Sequence, residues 1–321
     1  MDIDKFDEQK YLKVNPDVDL AVRQGLFKSG WHHYEKHGRK EGRSLTSIQD
    51  LRREKVLSHI DKAGLGLEIG PSHNPIAPKA DGFNVQILDH LDQTGLKEKY
   101  LLHNVNTEKI EEVDYVWSGE PLEELIGKNG GFDWIIASHV IEHIPDLIRF
   151  FQQCEKILKP DGKLSLVIPD KRYCFDCFQA PTMTGEFLDA YIQKRIRPSP
   201  GKIFDHFSNA ASCSNMIAWN NATVGKYDLL HTLDQSKELF ERSINSNEYI
   251  DVHLWRFVPE SFRLVIEDLN ALKLMNLIIS HEYETEGCEF YCTLTRNKAL
   301  GENQHKTGRK EMLSIISRLR K

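Results

Sequence analysis

Between residues 63 and 170 the apolar runs LGLEIG, NVQILDH, VDYVW, FDWIIAS and KLSLVIP recur, each bounded by Gly, Pro or Asp. Helical patterns such as EPLEELIG and PDLIRFFQQCEKILK lie between several of them. Strands that alternate with helices predict a parallel sheet covered on both faces, because each crossover returns the chain to the same sheet end. The rhythm breaks over residues 171–250, which are rich in Asn, Ser and aromatic residues and hold no clear strand. PESFRLVIEDLNAL then reads as an amphipathic helix. KLMNLIISHEYE and CEFYCTLTR, separated by TEG, read as an antiparallel hairpin.

Residues 1–45 form a separate pattern. Asn15-Pro16 opens a short helix, Gly25 closes it, and a second short helix ends near Gly38. Trp31, His32, His33 and His37 lack an accompanying acid or cysteine ligand, so they read as the aromatic face of a helical hairpin. A charged connector helix over 46–62 follows. The tail, 298–321, is basic and amphipathic, with Met312, Ile315, Ile316 and Leu319 on one helical face. It reads as a terminal helix packed on the body, with an anionic membrane surface as the alternative contact.

The net charge of −6, from 42 basic and 48 acidic residues, provides no field for holding nucleic acid. MDIDKFDEQK has no apolar core for a signal peptide, and no apolar run is long enough to span a bilayer. The six cysteines include one C-x-x-C pair, Cys174 and Cys177, with no second pair to complete a zinc site. Reduced thiols and a cytoplasmic location are the expectation.

Ligands of open parallel sheets bind beyond the carboxyl ends of the strands. GLEIGPSHNP, residues 66–75, is such a strand end followed by a tight turn. It is not the G-x-G-x-x-G dinucleotide fingerprint, since Gly64, Gly66 and Gly70 are wrongly spaced and Glu68 lies within the strand. Asp89 ends the next strand, where a carboxylate can accept the hydroxyls of an adenosine ribose.

A second loop, ASHVIEHIPD, fits the H-x-x-E-H spacing of a zinc peptidase. Two histidines four apart share an ion only on one helical face, and Pro145 places the helix start after them. His139 to Ile144 therefore read as a strand-to-helix crossing, and no metal site is expected there.

Taken in order, GLEIGPSHNP, ILDH, GGFDWIIASHVIEHIPD and ILKPDGKLSLVIPDKR resemble a class I S-adenosylmethionine-dependent methyltransferase. The resemblance covers residues 63–170 well and the last hairpin more loosely. It implies a Rossmann-like seven-stranded sheet over 63–297, with one antiparallel strand and the 171–250 insert on the acceptor side. It also implies S-adenosylmethionine as cofactor. Glu68, Gly70, Pro71 and Ser72 would approach its methionine part, Asp89 its ribose and Glu120 its adenine. Ser138 and His139 would line the methyl-donor pocket. Ser72 and Asn74 stand where the family usually has glycine; Asn tolerates a positive φ, so the turn can survive.

Methyl transfer to a hydroxyl needs a base, most often a histidine. FDHF offers Asp205 and His206, and DVHLWRF offers Asp251 and His253. His206 ranks first, His253 second, and His139 is the third candidate. Asp170, Lys171 and Arg172 follow a strand end, where the cations could neutralise an anionic acceptor. Residues 1–45 resemble a small module that accompanies bacterial polysaccharide enzymes. That association makes a sugar or polysaccharide intermediate the expected acceptor, with membrane or polysaccharide-enzyme contacts through residues 1–45 or the tail. The alternatives are a small metabolite, a lipid or a protein side chain as acceptor, or a non-catalytic scaffold.

Overall fold

The computed structural model describes residues 3, 6–101, 105–127, 130–297 and 308–319. Of the expected basic tail, residues 298–307, 320 and 321 lie outside the described residues. The chain divides into two compact units, the first ending at Ser58 and the second beginning at His59.

In the first unit Asp7 caps α1 (Glu8–Val14) by accepting from the Lys10 N–H, and Pro16 begins α2 (Pro16–Arg23). A continuous helical stretch follows as α3 (Gly30–His33), a π turn (Tyr34–Gly38) and α4 (Arg39–Glu41). The helix expected to end near Gly38 thus runs on to Gly42, whose φ of 67° terminates it. Gly38 serves a different purpose, since a Cβ there would lie 2.4 Å from the Tyr11 hydroxyl. The histidines do form an aromatic face: Phe27 packs edge-on to His33 and His37, and Phe6 to Trp31. The connector segment folds as α5 (Ile48–Leu57), capped by Ser47, within this unit.

The second unit alternates as the sequence predicts. Its order is β1 (Gly66–Ile69), β2 (Val85–Asp89), α6 (Gln93–Tyr100), β3 (Tyr115–Val116), α7 (Leu122–Ile126), β4 (Phe132–Ser138), α8 (Leu147–Ile157) and β5 (Leu158–Pro169). Residues 171–250 hold α9 (Thr184–Ile192), α10 (Pro200–Asn209), β6 (Ala211–Cys213), β7 (Tyr227–Leu229) and α11 (Leu233–Asn245). The β6–β7 pair is a two-stranded antiparallel sheet that the sequence reading missed, its strands being too short for a period to show. The chain closes with α12 (Pro259–Ala271), β8 (Leu277–Glu286), β9 (Glu289–Arg296) and α13 (Arg309–Arg318).

The main sheet has seven strands in the order β3-β2-β1-β4-β5-β9-β8. β1 to β5 pair in parallel, while β9 runs antiparallel to both β5 and β8. This is the Rossmann-like α/β class expected. β1 and most of β4 are buried on both faces, as central strands between helical layers must be. α8 packs Leu147, Phe150, Phe151, Cys154 and Ile157 into the core. Its first turn begins after Pro145 and is capped by Asp146, so residues 141–143 form a separate 3₁₀ turn. α13 turns Met312 and Ile316 onto Leu264 of α12, which covers the tail's apolar face. No helix among the described residues is long and apolar enough to cross a membrane.

Candidate functional site

The carboxyl ends of β1, β2, β4 and β5 lie side by side, so the loops that follow them share one edge of the sheet. After β1 the chain turns sharply. Gly70 has a φ of 64°, and its N–H donates to the Leu88 carbonyl. A Cβ on Gly70 would sit 3.0 Å from Val140, which closes the first loop against the crossing after β4. Ser72 adopts a φ of 48°, and its N–H donates to Asp89 at 3.0 Å. The left-handed positions are thus Gly70 and Ser72. Asn74 is not among them; its N–H closes a turn onto the Pro71 carbonyl, so asparagine is not what preserves the loop.

Glu68 is 1 % exposed and accepts from the N–H groups of Ile76 and Ala77 at 2.7 and 3.0 Å. It folds the loop back over the end of β1. Asp89 is also buried and accepts from the backbone and ring N–H of His90 as well as from Ser72. The Lys99 ammonium donates to the other His90 nitrogen. At the end of β3 the Trp117 indole donates to the Glu120 carbonyl, and the Glu120 carboxylate accepts from the Ser118 N–H. Glu68, Asp89 and Glu120 thus each hold a loop that follows β1, β2 or β3 in shape.

Ser138 ends β4, and His139 follows with a φ of 53°, a strained conformation for a residue with a Cβ. His139 is held there at both ends. Its N–H donates to the Val167 carbonyl, and its Nε2 donates to the Glu289 carboxylate at 2.6 Å. Glu289 begins β9 and was not singled out from the sequence, because 150 residues separate it from His139. The only available signal was an acid at the start of a predicted strand.

The segment 249–257 docks onto this crossing through repeated hydrogen bonds. The N–H groups of Leu254 and Trp255 donate to the Glu142 carbonyl, the Trp255 indole to that of Ile144, and the Tyr249 hydroxyl to that of His143. His253 and Asp251 are thereby brought beside Glu142 and His143. Asp251 accepts from His143 Nδ1 at 2.8 Å, and His253 Nδ1 donates instead to the buried Asp176 at 2.6 Å. Asp251 and His253, two positions apart, thus take separate partners that are 108 and 77 positions away.

His206 is likewise paired with a distant segment of the chain. Its Nδ1 accepts the backbone N–H of His253 at 3.3 Å, and Phe175 and Phe207 pack edge-on to its ring. Burial pushes its pKa down to about 4. A ring whose lone pair is taken and which resists protonation is a poor proton acceptor. Burial opposes protonation of His143 too, but Asp251 and Glu142 outweigh it and raise its pKa. Asp176 is held low despite its burial, chiefly by the charge and hydrogen bond of His253.

Asp170, Lys171 and Arg172 form a largely internal network. The Arg172 guanidinium donates to both Asp170 oxygens, Thr285 adds a hydroxyl donor, and the buried Lys171 ammonium donates to the Cys177 carbonyl. Desolvation lowers the Lys171 pKa, and the Asp170 hydrogen bonds raise that of Arg172. These bonds tie β5 to β8 and to the insert.

The family described as "Methyltransferase domain" matches residues 47–222, more than half of the chain. The chain is 48% identical over 40 residues to a mitochondrial ubiquinone biosynthesis O-methyltransferase of Bos taurus, and this match spans 12% of the chain and 11% of that protein. Among solved structures, an S-adenosylmethionine-dependent methyltransferase of Mesorhizobium loti superposes with a TM-score of 0.40 at 11% identity, covering 77% of this chain and 100% of that one. The Burkholderia thailandensis 1,6-didemethyltoxoflavin-N1-methyltransferase, solved with S-adenosylhomocysteine, gives 0.38 at 10% identity, over 93% and 94% of the two chains.

Proposed function

The chain belongs to the methyltransferase-domain family, and from that premise we propose that it methylates a hydroxyl oxygen. S-adenosylmethionine, the methyl donor of the family, supplies the activated methyl group. The donor-side loops suit such a ligand. Gly70 and Ser72 turn the backbone tightly at the end of β1, where a Cβ on Gly70 would press on Val140. Residues Gly70 to Ser72 would take the methionine part, with Glu68 shaping their loop from behind. Asp89 would take the ribose hydroxyls, Glu120 would border the adenine, and Ser138 would line the methyl pocket.

The observation that carries the reading is the His139–Glu289 pair. The His139 side chain is 37 % exposed, and the Glu289 carboxylate orients its ring by taking the Nε2–H. Nδ1 is then the atom that accepts the acceptor's proton as the new bond forms. His206 orders the backbone that carries His253.

A sugar or polysaccharide hydroxyl is the acceptor this reading favours, supported by the likeness of residues 1–45 to modules of polysaccharide enzymes. The name of the bovine relative supports oxygen as the accepting atom and makes a ring hydroxyl the second reading. Under either, Lys171 and Arg172 are where an anionic group would be neutralised if their internal bonds rearrange. Calorimetry with S-adenosylmethionine, followed by labelled transfer to sugar nucleotides and to catechol-type phenols, tests the reading. Binding that weakens in Asp89→Ala, with transfer to the sugars, is expected. No donor binding, with Asp89→Ala indistinguishable from wild type, overturns it.

A further inference from the structure

We propose that Glu142, His143 and His253 form a divalent metal site of the transition-ion type beside the acceptor pocket. Glu142 is fully buried, yet neither carboxylate oxygen has a hydrogen-bond partner. Its nearest neighbours of opposite character are His139 Nδ1 at 3.6 Å and His253 Nε2 at 3.9 Å, both beyond hydrogen-bonding distance. A buried carboxylate is normally satisfied by donors or by a cation.

The two histidines are arranged as metal ligands are. Each spends Nδ1–H on a carboxylate, His143 on Asp251 at 2.8 Å and His253 on Asp176 at 2.6 Å. That bond fixes the tautomer and leaves the Nε2 lone pair as the donor atom, the arrangement found behind metal-bound histidines. The two rings meet edge to face at 4.8 Å. One ligating atom from each of the three side chains lies within 4.8 Å of the others. An ion with bonds of about 2.0–2.2 Å needs such atoms roughly an ångström closer, a change that small side-chain rotations supply.

Two imidazoles and one carboxylate suit Zn²⁺, Co²⁺ or Fe²⁺ better than Mg²⁺ or Ca²⁺, which prefer all-oxygen shells. Three protein ligands leave a coordination position open. Coordination of the acceptor hydroxyl at that position would favour loss of its proton to His139, a role that rests on the methyl-transfer reading. The site itself rests on the side chains alone. It also differs from the peptidase pattern rejected above. Glu142 and His143 belong to that motif, but the third ligand comes from residue 253 and His139 remains with Glu289.

The test is titration of the full chain, stripped with chelator, with Co²⁺ followed by visible d–d absorption and with Zn²⁺ by competition. One equivalent should bind, and Glu142→Gln and His253→Ala should each weaken binding at least a hundredfold while retaining the wild-type circular dichroism spectrum. Asp176→Asn, which removes a carboxylate behind a ligand, should cost about 10–100-fold. Absence of stoichiometric binding in wild type, or equal binding in folded Glu142→Gln, overturns the site; if Glu142→Gln does not fold, the Asp176→Asn comparison decides. S-adenosylhomocysteine calorimetry on the stripped protein separates the two proposals. Donor binding without metal binding overturns only the metal site, and metal binding without donor binding overturns only the methyl-transfer reading.

Discussion

At the scale of single residues, the buried Glu68 carboxylate and the partly exposed His139 imidazole carry different tasks. Glu68 is committed to two backbone N–H groups, so Glu68→Gln exchanges charge-assisted bonds for weaker ones and sets an amide against an N–H donor. Hydrogen bonds to charged groups contribute about 1.5–3 kcal/mol each. We expect this variant to weaken S-adenosylhomocysteine binding tenfold or more by loosening residues 70–77, which calorimetry and hydrogen exchange of that loop would register together. His139 makes the opposite prediction. His139→Gln should lower the rate of transfer by about 10²–10⁴-fold, the usual contribution of a positioned acid–base group, and leave donor affinity within a few-fold. A variant that loses donor binding in proportion to rate would show that His139 shapes the pocket only. The placement of Glu68 within the first strand and of Asp89 at the end of the second was legible in the local sequence. The partners of His139 and His253 were not, because Glu289 and Asp176 lie 150 and 77 positions away.

Elements here depend on a few close approaches that sequence patterns only hint at. Gly66 in β1 faces Trp134 of β4, and a Cβ would fall 2.0 Å from the indole ring. Trp134 is fully buried and cannot move aside without opening the core. Gly66→Ala should therefore destabilise the second unit by about 1–3 kcal/mol or more, measured as a lower denaturant midpoint at unchanged slope. Asp133, also in β4, ties the strand to its surroundings by accepting from the Leu65 N–H and the Lys159 ammonium. The Lys159 hydrogen bond holds its carboxyl below the usual range. A carboxyl lowered in the folded state contributes stability above its unfolded pKa and loses it as pH falls through the folded value. The stability difference between wild type and Asp133→Asn should thus be constant above about pH 5 and shrink below about pH 4. A difference that grows on acidification would refute this assignment. Strand and helix identities followed from period and punctuation, whereas the short β6–β7 pair and the continuation of α3 through Gly38 did not. Both are set by contacts between segments rather than by periodicity.

For the molecule as a whole, a ligand that binds only the folded state adds stability by mass action. S-adenosylhomocysteine at about one hundred times its dissociation constant contributes about 2.7 kcal/mol. For a unit the size of residues 59–321 that corresponds to a rise in melting temperature of roughly 5–10 °C, readable by calorimetry. No shift at saturating ligand would count against the donor assignment. The order of strands and helices, the reversed last hairpin and the strand-end acids were determined by the sequence itself. Hydrophobic period and turn residues act locally, so each segment carries its own instruction. Only the tertiary structure decided how the acids and histidines around the crossing after β4 are paired. Docking of segment 249–257 on the crossing after β4 puts His253 beside Glu142, pairs His143 with Asp251, and leaves a buried carboxylate facing two imidazoles. Such a cluster is created by backbone hydrogen bonds between distant segments, and residue spacing along the chain carries no trace of them.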